Sequence, residues 1–142
     1  MRASQFAVAL LFISFVSLGC AERDSHVSGP AASSLAEQNE LYTSWAHSSE
    51  EDQGDGAQVY RPVSSRDFPA SRFRQVYQFS QDRTGARLVL DPADAHHMES
   101  MTWSTDRTHP NRVHLTDASG NALSSFEILE LTPDLMRIRI VP

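Results

Sequence analysis

The chain contains no lysine. All 12 of its basic residues are arginine, and 18 acidic residues outnumber them, which gives a net charge of −6. The absence of lysine excludes Schiff-base chemistry and lysine nucleophiles. The shortage of positive charge also argues against sequence-independent nucleic-acid binding, which depends on neutralising phosphates. We therefore expect no nucleic-acid partner.

Cysteine occurs once, at Cys20, so no disulfide can form within the chain. The segment that ends there, MRASQFAVALLFISFVSLGC, has a positive start at Arg2 and an uncharged run from Phe6 to Val16. That run is too short to cross a bilayer as a stable helix and is typical of a signal peptide. An ordinary secretion signal with an incidental cysteine is one interpretation of this segment.

The residues Ser-Leu-Gly-Cys at 17–20 resemble a bacterial lipobox, although Ser17 stands where leucine is usual. In that class of signal the cysteine thiol receives a diacylglyceryl group and becomes the mature N-terminus. The resemblance implies lipidation at Cys20. It also implies a location in the bacterial cell envelope, with the domain in the periplasm or outside the cell.

Residues 21–40 contain almost no side chain that could be buried. They are small and polar with Gly29-Pro30 at the centre, a composition typical of a flexible linker. A short helix from Ala31 to Leu41, capped by Ser33 or Ser34, is an alternative for the second half. The predicted segments are a signal peptide at 1–19, a lipidated cysteine with its tether at 20–40, and one folded domain at 41–142.

Short runs with a period of two residues fill the rest of the chain. The clearest is LMRIRIVP, in which apolar Met136, Ile138 and Ile140 alternate with other residues, as in a strand with one buried face. Similar runs, each followed by turn residues, are LYTSWAH, AQVYR, FRQVYQFSQ, ARLVLD, ESMTWST, NRVHLTD and SSFEILELT. Seven or eight short strands without a long helix predict an all-β fold. We favour a small antiparallel up-and-down barrel, with a two-sheet sandwich as the alternative.

The stretch HHMESM at 96–101 offers soft ligands of the kind that bind copper. If the stretch is extended, His97 and Met101 share a face about 13 Å apart and cannot bind one ion. His96 and Met98 would then share the other face and supply only two ligands. A helical stretch would bring His97 and Met101 together.

We favour a loop with one helical turn that leads into a strand, because Met101 continues directly into the strand pattern at Trp103. His109 and His114 flank the next hairpin and could complete a site. The alternative function is therefore a copper- or zinc-binding envelope protein that uses His96, His97, Met98 and Met101.

The stretch HSSEEDQGDG at 47–56 is a second candidate metal site, but it lacks the acidic spacing of an EF-hand. Asp55-Gly56 is typical of a hairpin turn, which is the structure we predict. The potential ligands are His47, Glu50, Glu51, Asp52 and Asp55. A nearby arginine cluster is a candidate phosphate site, although such runs are more often a solvated face. Its members are Arg61, Arg66, Arg72 and Arg74.

Three motifs resemble those of a family of small uncharacterised bacterial proteins. SWAHSSEED at 44–52, VYRP at 59–62 and FPASRFR at 68–74 correspond to W-x-H-S-x-E-E-D, V-Y-R-P and F-P-P-S-R-x-R in that family. The departures are Ala70 in place of proline and Thr102 in place of a glycine. The resemblance spans roughly residues 41–140. It implies a lipocalin-like, calycin-type barrel and no particular activity.

The same resemblance implies a role for Trp45. In lipocalin-like folds, a tryptophan near the start of the first strand often closes one end of the barrel and stacks on an arginine from the last strands. Arg137 and Arg139 are the candidates for that arginine.

These expectations combine into a function without catalysis. No G-x-S-x-G elbow frames a nucleophile, and adjacent carboxylates on a wet turn do not supply the raised pKa that acid–base catalysis needs. We expect a monomeric, lipid-anchored barrel without a cofactor that binds a small apolar molecule or an envelope partner. The predicted pocket residues are Phe73, Tyr77, Phe79, Leu88, Leu90, Met101 and Trp103. A barrel of this size can also be filled entirely by its own side chains.

Overall fold

The computed structural model describes residues 34–92 and 95–142. Cys20, the predicted signal peptide and most of the predicted tether lie outside these residues. The compact unit that contains the described residues runs from Ala32 to Pro142, so it begins before the predicted boundary at residue 41. Within the described residues, no helix has the length and apolar character needed to span a bilayer.

Eight strands form the body of the protein. They are β1 (Ser44–His47), β2 (Gln58–Pro62), β3 (Val76–Phe79), β4 (Thr84–Leu90), β5 (His96–Thr105), β6 (Arg112–Thr116), β7 (Ala122–Thr132) and β8 (Leu135–Val141). Each strand pairs antiparallel with its neighbours, and the sheet closes on itself. The prediction of an all-β, closed antiparallel barrel is confirmed, and the sandwich alternative is wrong.

The strand order differs from the chain order at one place. Strands β3 to β8 follow one another around the barrel, but β1 lies between β2 and β3, and β2 closes the barrel against β8. The segment 63–75 therefore has to pass β1 on its way from β2 to β3. We call it the crossover segment.

Two single-turn 3-10 helices, Leu35–Glu37 and Asn39–Leu41, precede β1 in place of the alternative longer helix. Gln38 separates them with extended backbone angles (φ −77°, ψ 144°), which an α-helix cannot accommodate. Ala36 and Leu41 are fully buried against the barrel core. This part of the predicted tether is therefore packed structure.

Aromatic rings fill the interior of the barrel. The ring of Phe126 on β7 lies 5.9 Å from that of Tyr77 and 6.3 Å from that of Phe79, both on β3. Because β3 and β7 are not adjacent in the sheet, these contacts span the interior. Phe79 also meets Trp103 edge-on at 5.8 Å. Ring pairs at these distances are favourable beyond the apolar area that they bury.

Ile140 corrects one expectation about the last strand. Met136 and Ile138 are buried as predicted, but Ile140 is 48% exposed. The paired part of β2 reaches only to the level of Ile138, so Ile140 has a strand neighbour on the β7 side alone.

Candidate functional site

Residues of the three sequence motifs converge on one charged cluster. It consists of Glu50, Glu51, Arg61 and Arg74 from the motifs and of Arg66, which lies between the second motif and the third. Glu50 accepts hydrogen bonds from Arg66 and from Nη1 of Arg74, the latter at 3.2 Å. Arg66 also donates to the buried Ser48 Oγ at 2.7 Å. Both arginines belong to the crossover segment, so their bonds fix that segment to the connection between β1 and β2.

Arg61 forms the second half of the charged cluster. Its Nε and Nη2 donate to the two oxygens of Glu51 at 3.1 and 2.9 Å, a bidentate geometry. Its Nη1 donates to the backbone oxygen of Asp134 at 2.9 Å, in the turn between β7 and β8. Arg61 therefore ties β2 to the turn before the last strand.

Both carboxylates of the charged cluster are strongly acidic. A hydrogen bond from its own backbone, helped by Arg74 and Ser48, lowers the pKa of Glu50 to about 2. Hydrogen bonds from Arg61 and Ser48 lower the pKa of Glu51 to about 2. Near neutral pH both groups are ionised and paired with arginine, so neither is poised to donate a proton.

The turn after β1 is held by hydrogen bonds of its own. His47 Nε2 lies 2.9 Å from Asp52 Oδ2, and Asp52 Oδ1 accepts the N–H of Val59 at 2.8 Å. Gly56 has a φ of +80°, in keeping with the predicted turn. Across residues 34–92 and 95–142, no three His, Cys, Asp or Glu side chains are grouped so that they could bind a metal ion. The bonds of Asp52 to His47 and Val59 hold this turn between β1 and β2.

The predicted stacking of an arginine on Trp45 is wrong. Trp45 is fully buried, and its Nε1 donates to Leu41 O at 3.1 Å. Arg137 alternates with the buried Met136 and Ile138, so it points outward and pairs with Asp55 at 3.0 Å. Arg139 shares that outward side of β8 and is exposed. Among the described residues, the arginine that lies over a tryptophan ring is Arg83, whose Cζ is 4.2 Å from the ring centroid of Trp103.

The structure divides six of the seven predicted pocket residues into two groups, and the seventh, Phe73, lies in the crossover segment. Tyr77, Phe79, Met101 and Trp103 are buried in the core and fill it. Leu88 pairs with Met98 and Leu90 pairs with His96 on the outer wall of the barrel. The two leucines were predicted to face the interior instead. A ligand pocket that joins all these residues inside the barrel is therefore not formed.

The inward side of β4 carries a charge. Arg87 pairs in register with the buried Tyr77 and with Glu99, which lies two residues before the buried Met101 on β5. Arg87 Nε donates to Glu99 Oε2 at 2.8 Å. This pair was missed because ARLVLD suggests leucines as its buried residues. The sequence did contain a signal for the pair, because Glu99 lies two residues before Met101 and therefore shares its inward face of β5.

The HHMESM stretch is extended from its first residue, since β5 begins at His96. The predicted helical turn before it falls partly on residues 93 and 94, outside the described residues. His96 and Met98 lie on the outer wall, whereas His97 and Met101 share the other face. His114 pairs with Ser104, eight residues along β5 from His96, or about 26 Å at the usual rise. His114 therefore cannot complete a site with His96.

A surface cavity of about 400 Å³ lies where the crossover segment meets the β4–β5 hairpin. It is lined by Arg72, Phe73, Leu90 and His96, and we call it the hairpin cavity. The rings of Phe73 and His96 meet edge-on at 5.9 Å. Phe73 and Leu90 are 36% and 48% exposed, and Met98, on the same wall as Leu90, is 45% exposed. The volume of the hairpin cavity lies within the range of small-molecule binding sites.

Comparison with family models, curated proteins and solved structures finds no match to this chain.

Proposed function

We propose that this chain is a non-catalytic, lipid-anchored protein of the bacterial cell envelope that binds a small apolar molecule in the hairpin cavity. The observation that carries the proposal is that the apolar side chains of the barrel interior are buried, whereas those around the hairpin cavity are exposed. The barrel interior is filled by its own rings, whereas Phe73 and Leu90 remain exposed around the cavity. Exposed apolar side chains grouped around a concave site are typical of a binding surface.

The charged cluster supports this proposal because it positions one wall of the cavity. Arg74 follows Phe73 directly and donates to Pro69 O at 2.9 Å and to Glu50 at 3.2 Å. Ser71 Oγ donates to the backbone oxygen of Phe73 at 2.7 Å. A wall held in place in this way binds a ligand with a smaller loss of conformational entropy.

The anchor is tested by cell fractionation of a Cys20→Ser variant. The unchanged chain should sediment with membranes and carry acyl groups on residue 20, and the variant should be soluble. Equal sedimentation of the two proteins would refute lipid anchoring.

The binding site is tested with the neutral apolar probe N-phenyl-1-naphthylamine, whose fluorescence rises on transfer out of water. We expect saturable binding that Phe73→Ser weakens at least tenfold. Val63→Ser is the matched control, because Val63 is exposed to a similar extent at the other end of the crossover segment. Binding that is absent, or that both variants weaken equally, would exclude the hairpin cavity as an apolar site.

A further inference from the structure

We infer that the hairpin cavity selects an anionic amphiphile, with the negatively charged head on Arg72 and the alkyl tail against Phe73 and Leu90. This inference rests on the proposed function and specifies the chemical class of its ligand. The shared chemistry is a carboxylate or phosphate joined to a hydrocarbon chain.

Within the part of the chain that the structure describes, Arg72 is the arginine of the crossover segment that has no partner. Arg66 and Arg74 are both paired with Glu50 and both lie against the ring of Phe68. Arg72 is exposed, and within the described residues it makes no hydrogen bond and no ion pair. Its five N–H donors are therefore available to a ligand that enters the cavity it lines. A guanidinium fits carboxylate and phosphate groups bidentately.

The other walls of the cavity are suited to a hydrocarbon chain. Phe73 and Leu90 present apolar surface, and the edge-on contact between Phe73 and His96 places a second ring beside them. Leu88 and Met98 pair directly and extend the apolar wall along the hairpin, next to the Leu90–His96 pair. Each methylene that leaves water at such a wall adds to the affinity. An inorganic anion uses only Arg72, and a neutral hydrocarbon uses only the wall.

Two sources could supply this chemistry: an anionic lipid of a bilayer, or a free fatty acid. The proposed anchor at Cys20 would keep the domain within a tether's length of a membrane. Bilayer lipids and free fatty acids would then both be accessible to the cavity. The experiment therefore separates the two sources from each other and from the anchor itself.

Binding is measured by calorimetry on the full exported chain carrying Cys20→Ser, with decanoate and decanol as probes below their aggregation limits. We expect decanoate to bind at least tenfold more tightly than decanol. Arg72→Gln should remove that preference, because it should weaken decanoate binding at least tenfold and decanol binding by a smaller factor. Arg107→Gln is the matched control, since Arg107 is also exposed and without a partner among the described residues. Leu90→Ser should weaken both probes equally.

Three outcomes overturn the inference: equal affinity for the two probes, a decanoate preference that survives Arg72→Gln, or binding of neither probe. Equal affinity would leave the proposed apolar site intact, whereas binding of neither would count against that site as well. Co-sedimentation with phosphatidylglycerol vesicles but not with phosphatidylcholine vesicles, again dependent on Arg72, would identify a bilayer lipid as the source. Decanoate binding without vesicle binding would identify a free fatty acid.

Discussion

The guanidinium of Arg83 lies over the ring of Trp103, with 4.2 Å between the Arg83 Cζ and the ring centroid. Arg83 has a φ of +69°, in the left-handed region that favours glycine. The indole Nε1 of Trp103 donates to Thr84 O at 3.1 Å and to Ser80 O at 3.2 Å, which are backbone oxygens on either side of Arg83. The turn between β3 and β4 thus contacts Trp103 in two ways, through the side chain of Arg83 and through the backbone oxygens of Ser80 and Thr84.

Replacement of Arg83 by methionine tests the stacking. Methionine keeps an apolar stem but removes the charge, so we expect the free energy of unfolding to fall by about 0.5–1 kcal/mol. Urea unfolding measures the change, with Arg107→Met as the exposed control. The loss should shrink in a Trp103→Leu background. An undiminished loss there would show that the ring does not contribute.

Replacement of Arg61 by lysine tests the bidentate pair with Glu51. Lysine keeps the charge but cannot match both carboxylate oxygens and the Asp134 carbonyl. We expect a loss of about 1 kcal/mol in the free energy of unfolding, which is modest because both side chains are partly exposed. Arg139→Lys, on an exposed arginine of β8, should change the stability by less than about 0.5 kcal/mol. Equal effects of the two changes would contradict a special role for Arg61.

The loss of folding stability at acidic pH should depend on Glu50 and Glu51, whose pKa values are lowered from 4.5 to about 2. The folded pKa lies below the unfolded value, so ionised carboxylates stabilise the fold above about pH 4.5. This contribution is lost as the pH falls toward 2. We expect the urea midpoint to decline across that window. The decline should be shallower in a Glu50→Gln/Glu51→Gln double variant, while the exposed Glu40→Gln should leave it unchanged.

Gly85 on β4 pairs with Phe79 on β3 and lies against the backbone of that strand. A Cβ at this position would lie 2.3 Å from the backbone oxygen of Gln78 and 3.0 Å from Cε of Met101. Because a backbone oxygen cannot rotate away, we expect Gly85→Ala to cost about 1–3 kcal/mol of stability. Thermal unfolding measures the loss, and Ala86→Ser on the opposite face is the control. A stable Gly85→Ala protein would mean that the strands separate without cost.

Strand alternation predicted most of the barrel from the sequence, because burial of one face imposes a period of two. Met136 and Ile138 on β8 and Met101 and Trp103 on β5 are buried as that period requires. The segment ARLVLD was assigned the wrong phase. Leu88 and Leu90 share one face of the strand, whereas the opposite face carries Arg87 and only one apolar residue, Val89. The partner that makes Arg87 acceptable on the inner side is Glu99, which lies on the neighbouring strand.

The site was less predictable than the fold, because its parts come from distant segments. Phe73 and Leu90 were both selected from the sequence, but as parts of an internal pocket. Among the described residues, the lack of a partner for Arg72 stands out only when Arg66 and Arg74 are seen to be paired with Glu50. The sequence of β1 also does not indicate that this strand lies between β2 and β3. The alternation of buried and exposed residues is the same whether the strands follow chain order or the observed order.

Closure of the barrel through β2 and β8 has a consequence for folding. Gln58 pairs with Ile138, 80 positions further along the chain, so this seam cannot form until the C-terminal strand is present. Long-range pairing of this kind slows folding, and unpaired strand edges promote aggregation in the interval. A chain that stops before β8 would leave β2 and β7 as open edges, so pairing of the last seven-residue strand removes two edges on which nascent chains could associate.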